Sequence, residues 1–177
     1  MVEPRKKALV VYESYFGNTR KVAEAIGIGL KDRFDVTVVD VLDAKPSPGD
    51  VGLLVVGGPI HAFSMSRKTT REDAVKQARA LGVPVVPHTL GVREWLEQLE
   101  PSTTHLPAAA FDTAVKVGWF TIGSAAGAEL SSLTAKGYDA QVRPQHFHVK
   151  DVDGPLLAGE LERATEWGRV LAETVGP

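Results

Sequence analysis

Residues Ala8 to Thr19 (Ala-Leu-Val-Val-Tyr-Glu-Ser-Tyr-Phe-Gly-Asn-Thr) constrain this chain more than any other stretch. A short apolar run gives way to a tight turn carrying a hydroxyl and a glycine, and a helical pattern starts directly behind it. Such a junction aims free backbone N–H groups and the positive end of a helix dipole at one point, where a phosphate can be held without any lysine. Ser14 and Thr19 add hydroxyl donors, and Gly17, lacking a Cβ, lets a ligand approach the backbone closely. The same residues also suit an ordinary strand-to-helix turn with Asn18 or Thr19 as the helix N-cap.

Behind that turn, strand and helix patterns alternate. Ala8 to Glu13 reads as a buried strand, and Val22, Ile26 and Leu30 line one helical face with Ala25 beside them. Phe34 to Val41 is rich in β-branched residues and forms a second strand. Val51 to Gly58 is a continuous apolar run suited to a central parallel strand covered on both faces. Thr70 with Asp73 resembles a capping box for a helix reaching Leu81. Leu106 to Phe111 makes a fourth strand, Ala125 to Lys136 a helix stopped by Gly137, Gln145 to Val149 a fifth strand, and Gly159 to Val175 a closing amphipathic helix. The segment from Gly82 to Gly91 holds two prolines, which bar a central strand and favour extended loop. Alternation of this kind gives an α/β fold, a parallel sheet with helices on both faces.

The turn Ser14-Tyr15-Phe16-Gly17-Asn18-Thr19 resembles the phosphate loop of the flavodoxin family, whose pattern is Ser/Thr, any residue, Thr, Gly, any residue, Thr. Phe16 departs from it, standing where the family usually offers a hydroxyl. The Gly57-to-Ser64 loop resembles the family's flavin-edge loop in position and glycine content, and Gly154 to Ala164 is similar to the last helix of actinobacterial flavodoxin-like proteins. The resemblance implies a doubly wound five-stranded sheet in the order 2-1-3-4-5, for which flavodoxin is the type case, with FMN at the switch point between strands 1 and 3. It implies FMN phosphate at Ser14 to Thr19 and a flavin ring against Pro59, Ile60, His61 and Phe63. Ile60 or Phe63 would pack on the ring, and His61 would donate to a reduced flavin or balance its charge, unless it is a plain loop histidine. From the loop after strand 4, Asp112 and Thr113 stand at a strand's carboxyl end. Trp119 is the candidate aromatic there, with Phe120 in reserve and core packing as the alternative for both.

Composition narrows the chemistry. The 177 residues suit a single domain with a proper core, and none is cysteine, so redox work requires an organic cofactor. A formal net charge of −2 argues against a nucleic-acid partner and against the strongly acidic docking face of a general electron shuttle. No stretch reaches membrane-spanning length, so a soluble, cytoplasmic protein without membrane insertion is expected. His146 and His148 share a strand face but lack a third ligand, so no metal is expected. Gly27-Ile28-Gly29 lies within a helix and is no dinucleotide fingerprint. The expectation is an FMN redox protein, either an electron carrier or a reductase of a quinone-like acceptor. The competing expectation is a flavin-free binding or regulatory module; redox partners stay unassigned and a homodimer stays open. Basic residues after the ring loop (Arg67, Lys68, Arg71, Lys76, Arg79) suggest a docking face for an anionic partner, or simply a solvated helix.

Overall fold

A computed structural model describes residues 4–117 and 123–176. The elements run β1 (Lys7–Tyr12), α1 (Asn18–Leu30), β2 (Asp35–Asp40), β3 (Leu53–Pro59), α2 (Lys68–Leu81), α3 (Val92–Gln98), β4 (Pro107–Val115), α4 (Ala125–Ala135), β5 (Asp139–Ala140), β6 (Gln145–Val149) and α5 (Glu160–Val175). Among the described residues the named strands pair in parallel, in the order β2-β1-β3-β4, with both β5 and β6 on the outer side of β4. The fifth place in the expected sheet is therefore filled by two pieces. β5 pairs with the start of β4 and β6 with its end. Among the described residues this makes six strands on five positions, because after Gln141, whose N–H still donates to the Ala108 carbonyl, the chain passes through Pro144 and leaves the ladder.

Period-2 alternation sends the strands' side chains to two separate cores. Val10, Leu53, Val55, Phe111 and Phe147 pack with Val22, Ile26 and Leu30 of α1 and Leu171 of α5. Val11, Leu54, Val56 and Ala108 pack on the other face with Trp95 and Leu96 of α3 and Leu133 of α4. Each fully buried residue of this size contributes about 1.5–3 kcal/mol through area removed from water. Of the two glycines within α1, Gly27 faces Val36 and Val38 of β2 and Gly29 faces α5. A Cβ there would strike the backbone of Thr165, and one on Gly168 would strike that of Ile26, so both glycines are needed for the close approach of α1 and α5.

Two boundaries differ from the sequence reading in ways that matter for the site. α2 starts at Lys68, and Thr70 is its third residue, whose hydroxyl accepts from the Arg67 N–H at 2.9 Å rather than capping a later start. β4 continues four residues beyond Phe111 because Asp112 and Thr113 are held between β3 and β6, and Ala114 and Val115 pair with β6. Among the described residues, no helix is long and apolar enough to cross a membrane.

Candidate functional site

The carboxyl ends of β1, β3, β4 and β6 open onto one crevice enclosing ≈ 520 Å³ out to its mouth. Open α/β sheets bind their ligands at this end, where neighbouring connections leave in opposite directions. Ser14, Tyr15, Phe16, Asn18 and Thr19 line one end of it, and Pro59, Ile60, His61 and Thr113 the other. Ala74 of α2, Val115, Val149 and Val152 complete the wall. Among the described residues, the lining includes no lysine or arginine.

The first end is built as a donor cradle. Gly17 is itself the N-cap of α1, at φ 84°, so neither Asn18 nor Thr19 takes that place and no side chain caps the helix. A left-handed φ at this position favours glycine over any residue with a Cβ. Among the described residues, no acceptor faces the backbone N–H groups of Tyr15, Phe16, Gly17, Asn18 or Thr19. Ser14 Oγ accepts from the Arg20 N–H at 3.2 Å, which leaves its own proton for a ligand. Thr19 Oγ1 and Thr113 Oγ1 lie 2.7 Å apart, and such a pair uses one hydroxyl proton and leaves the other. Asn18 Nδ2 donates to the Asp153 carbonyl at 3.1 Å, fastening the β6–α5 loop over the helix start. The Tyr15 side chain is buried, and its hydroxyl donates to the Glu13 carboxylate. Tyr15 therefore offers a ligand its backbone N–H.

At the other end, the Ile60 N–H donates to the Thr113 carbonyl at 2.9 Å and holds the loop to β4. Burial pushes the pKa of His61 down, overcoming the opposing effects of Glu13 and of a bond to the Thr70 backbone. It is a neutral imidazole at neutral pH whose single N–H is used on the Thr70 backbone, so it offers a ligand an acceptor nitrogen and does not balance a charge. Two expected members stand elsewhere. Phe63 does not line the crevice and is 66% exposed at the tip of its loop. Asp112 is fully buried on the opposite face of β4. One oxygen accepts from the Ala126 N–H at 2.9 Å and the other meets His146 Nδ1 at 2.8 Å, a bond that raises the histidine's pKa. The longer β4 is the reason, since alternation turns Thr113 to the crevice and Asp112 away from it. Trp119 and Phe120 lie outside the described residues.

His146 and His148 go to different acids, Asp112 and Glu160, and no cluster of three metal-ligating residues occurs among the described residues. The Pro-containing segment after α2 straps the site from outside. The Val86 N–H donates to the Tyr15 carbonyl at 2.9 Å. His88 Nδ1 meets the Val86 carbonyl and Nε2 the Asp40 carboxylate, each at 3.0 Å. Both partners are acceptors, an arrangement that favours the protonated ring. Burial opposes this, but the bonds to Asp40 and Val86 outweigh it and hold the pKa above its ordinary value. Arg71 is equally buried, its guanidinium paired with both oxygens of Glu94 at 2.9 and 3.1 Å and with Ser66 Oγ. It is a structural cation, and the expected docking face loses it.

Val149, Val152, Ala74 and Val115 were not singled out in the sequence. Val149 ends the last strand and was accessible through the carboxyl-end rule; nothing local marks Ala74.

The fold is that of the flavodoxins. The chain superposes on a flavodoxin from the domain Archaea with a TM-score of 0.62, covering 96% of this chain and 98% of that one at 21% identity. A short-chain flavodoxin associated with a non-canonical PDU bacterial microcompartment matches with a TM-score of 0.65 over 97% and 99% of the two chains at 13% identity. Oxidised Flavodoxin 2 from Bacillus cereus gives 0.62 over 94% and 98% at 15% identity. No protein-family profile and no curated protein sequence matches the chain.

Proposed function

We propose that the chain binds FMN in this crevice and acts as a flavin redox protein, passing electrons to a partner or to a quinone-like acceptor. The observation that carries the reading is the uncharged donor cradle, with N–H groups from Tyr15 to Thr19 and hydroxyl protons of Ser14 and the Thr19–Thr113 pair converging beside Gly17. Such a set suits a phosphate monoester, because N–H groups and hydroxyls at a helix start satisfy its oxygens without a counter-charge. When bound, the flavin supplies the electron chemistry. The chain's share is to anchor the phosphate, set the ring between the Pro59–His61 loop and the end of β4, and hold apolar walls (Ile60, Val115, Val149) against water. A solved flavodoxin among the structural matches is described as two-electron reduced, which agrees with a redox use of this fold.

The test is titration of FMN into Ser14→Ala and Thr19→Val proteins. A hydrogen bond to a charged group contributes about 1.5–3 kcal/mol, so each substitution should weaken FMN about ten- to hundredfold. Affinities equal to wild type would remove the cradle from the binding site.

A further inference from the structure

The Pro-containing strap and α2 do not close on each other. Between them runs a groove enclosing ≈ 1100 Å³ out to its mouth, which shares no lining residue with the crevice. One wall is the face of α2 carrying Lys68, Glu72, Lys76 and Arg79, and the other is Pro87 to Thr89 of the strap. Ala74 lines the crevice and Val75 the groove, so α2 divides the two. Charge in the groove is one-sided. Among the described residues, Lys68 and Arg79 pair with no acid, and Lys76 meets only Asp73, at 3.8 Å and exposed to water. The stretch from Arg67 to Leu81 holds five cations against two acids in a chain whose net charge is −2, so positive charge is concentrated on this helix.

Arg71, which also lines the groove, carries an independent observation. A guanidinium has five N–H donors in a fixed plane. Both end nitrogens of Arg71 donate to Glu94, and Nη1 gives its second proton to Ser66 Oγ. Nε has no partner among the described residues, although the side chain is buried. The two donors left over, Nε–H and the second Nη2–H, lie side by side on one edge of the plane, which is the spacing of the two oxygens of a carboxylate. Glu94 neutralises the charge of Arg71 and leaves this edge unused.

We infer that the groove docks an extended acidic segment of a protein partner, one carboxylate taking the free edge of Arg71 and others facing Lys68, Lys76 and Arg79. The length of the cationic stripe selects this occupant. From Lys68 to Arg79 the helix rises about 16 Å, far more than one phosphate or one carboxylate can cover. An extended chain covers that distance with about five residues and can bring a carboxylate to each cation in turn. Its backbone runs beside the exposed Pro87 and Thr89 of the strap. A partner held there sits one helix away from the crevice. The assignment goes beyond the flavin reading and does not depend on it.

The probe is fluorescein-labelled octaglutamate, titrated by anisotropy into the flavin-free protein at low and at high salt. Wild type should bind it at low salt and release it at high salt. The exposed pair Lys76→Glu/Arg79→Glu should weaken binding about tenfold or more, while Lys31→Glu/Arg33→Glu, past the far end of α1, should match wild type. In proton–nitrogen correlation spectra of wild type, the Arg71 Nε–H resonance should shift as the peptide is added. No binding by wild type, or an equal loss in both charge-reversed proteins, would overturn the docking site. An Arg71 Nε–H that does not move would overturn it as well, since the unused edge would then take no carboxylate. Inorganic pyrophosphate that displaces octaglutamate at equal concentration would make the groove a small-anion site, and phosphatidylserine vesicles bound through Lys76 and Arg79 in preference to the peptide would make it a membrane surface. Either result contradicts the assignment. Because no flavin is present, failure here leaves FMN binding untouched, and failure to bind FMN leaves this groove untouched.

Discussion

Glu129 sits on the inner face of α4, in line with Ala125 and Leu133, and is entirely buried. Among the described residues, neither carboxyl oxygen has a hydrogen-bond partner. An isolated carboxylate in such a place is far costlier than the neutral acid. Burial first, then the negative charges of Asp112 and Glu13, raise its pKa well above the ordinary 4.5. The unfolded chain ionises this group near that ordinary value while the folded chain keeps the proton. Stability from the neutral acid is thus complete below pH 4.5 and is lost as pH rises towards the folded-state pKa. Where the folded chain keeps the proton and the unfolded chain has lost it, linkage sets the slope at about 1.4 kcal/mol per pH unit. Glu129→Gln has the same shape and nothing to ionise. Urea unfolding of both proteins without flavin, from pH 5 to 7, isolates the effect, since other titrating groups cancel in the difference. The glutamine variant should gain on wild type by that slope at each step, whatever the offset between the two. A difference that stays flat with pH would refute the neutral buried acid and mean that Glu129 is ionised and paired in the fold.

Removing the partner of the buried Arg71 by Glu94→Ala should cost about 3–5 kcal/mol in urea unfolding, because the guanidinium is left uncompensated; a loss under 1 kcal/mol would return Arg71 to the surface. The His88 imidazolium gives the strap over Tyr15 a pH dependence of known sign. Its folded pKa lies above the ordinary 6.5, so its contribution is complete below that value and fades as pH rises through the folded pKa. Amide exchange at Val86 should therefore accelerate with alkalinity beyond its intrinsic rise, and Asp40→Asn should remove that extra acceleration. Identical protection in the two proteins at every pH would mean that the strap does not depend on this ion pair.

The regular elements were legible because each carries its own period: the apolar run of β3 and the i, i+4, i+8 stripe of α1 need no tertiary information. The phosphate-loop turn was legible for the same local reason. What escaped the sequence depends on distant pairings. β4 runs past Phe111 only because β3 and β6 flank it, and that extension decides that Thr113 faces the crevice and Asp112 does not. The hydroxyl pair of Thr19 and Thr113 joins residues 94 apart. Arg71 looks like one more surface cation of a basic helix until Glu94 and Ser66 fold over it. The Glu129 signal was present locally, an acid at helical spacing between Ala125 and Leu133, but only burial on that face turns it into a titration anomaly. Phe63 lies on the loop the sequence pointed to but stands exposed at its tip, since a sequence does not announce a left-handed phenylalanine.

The most direct test of the whole account compares FMN with riboflavin, which is the same ring system without the phosphate, by fluorescence titration of the purified protein. A cradle of N–H and hydroxyl donors around the phosphate should make FMN bind at least about a hundredfold more tightly, the equivalent of roughly 2.7 kcal/mol. Equal affinity for the two, or no uptake of either, would contradict the assignment of this crevice to a flavin phosphate.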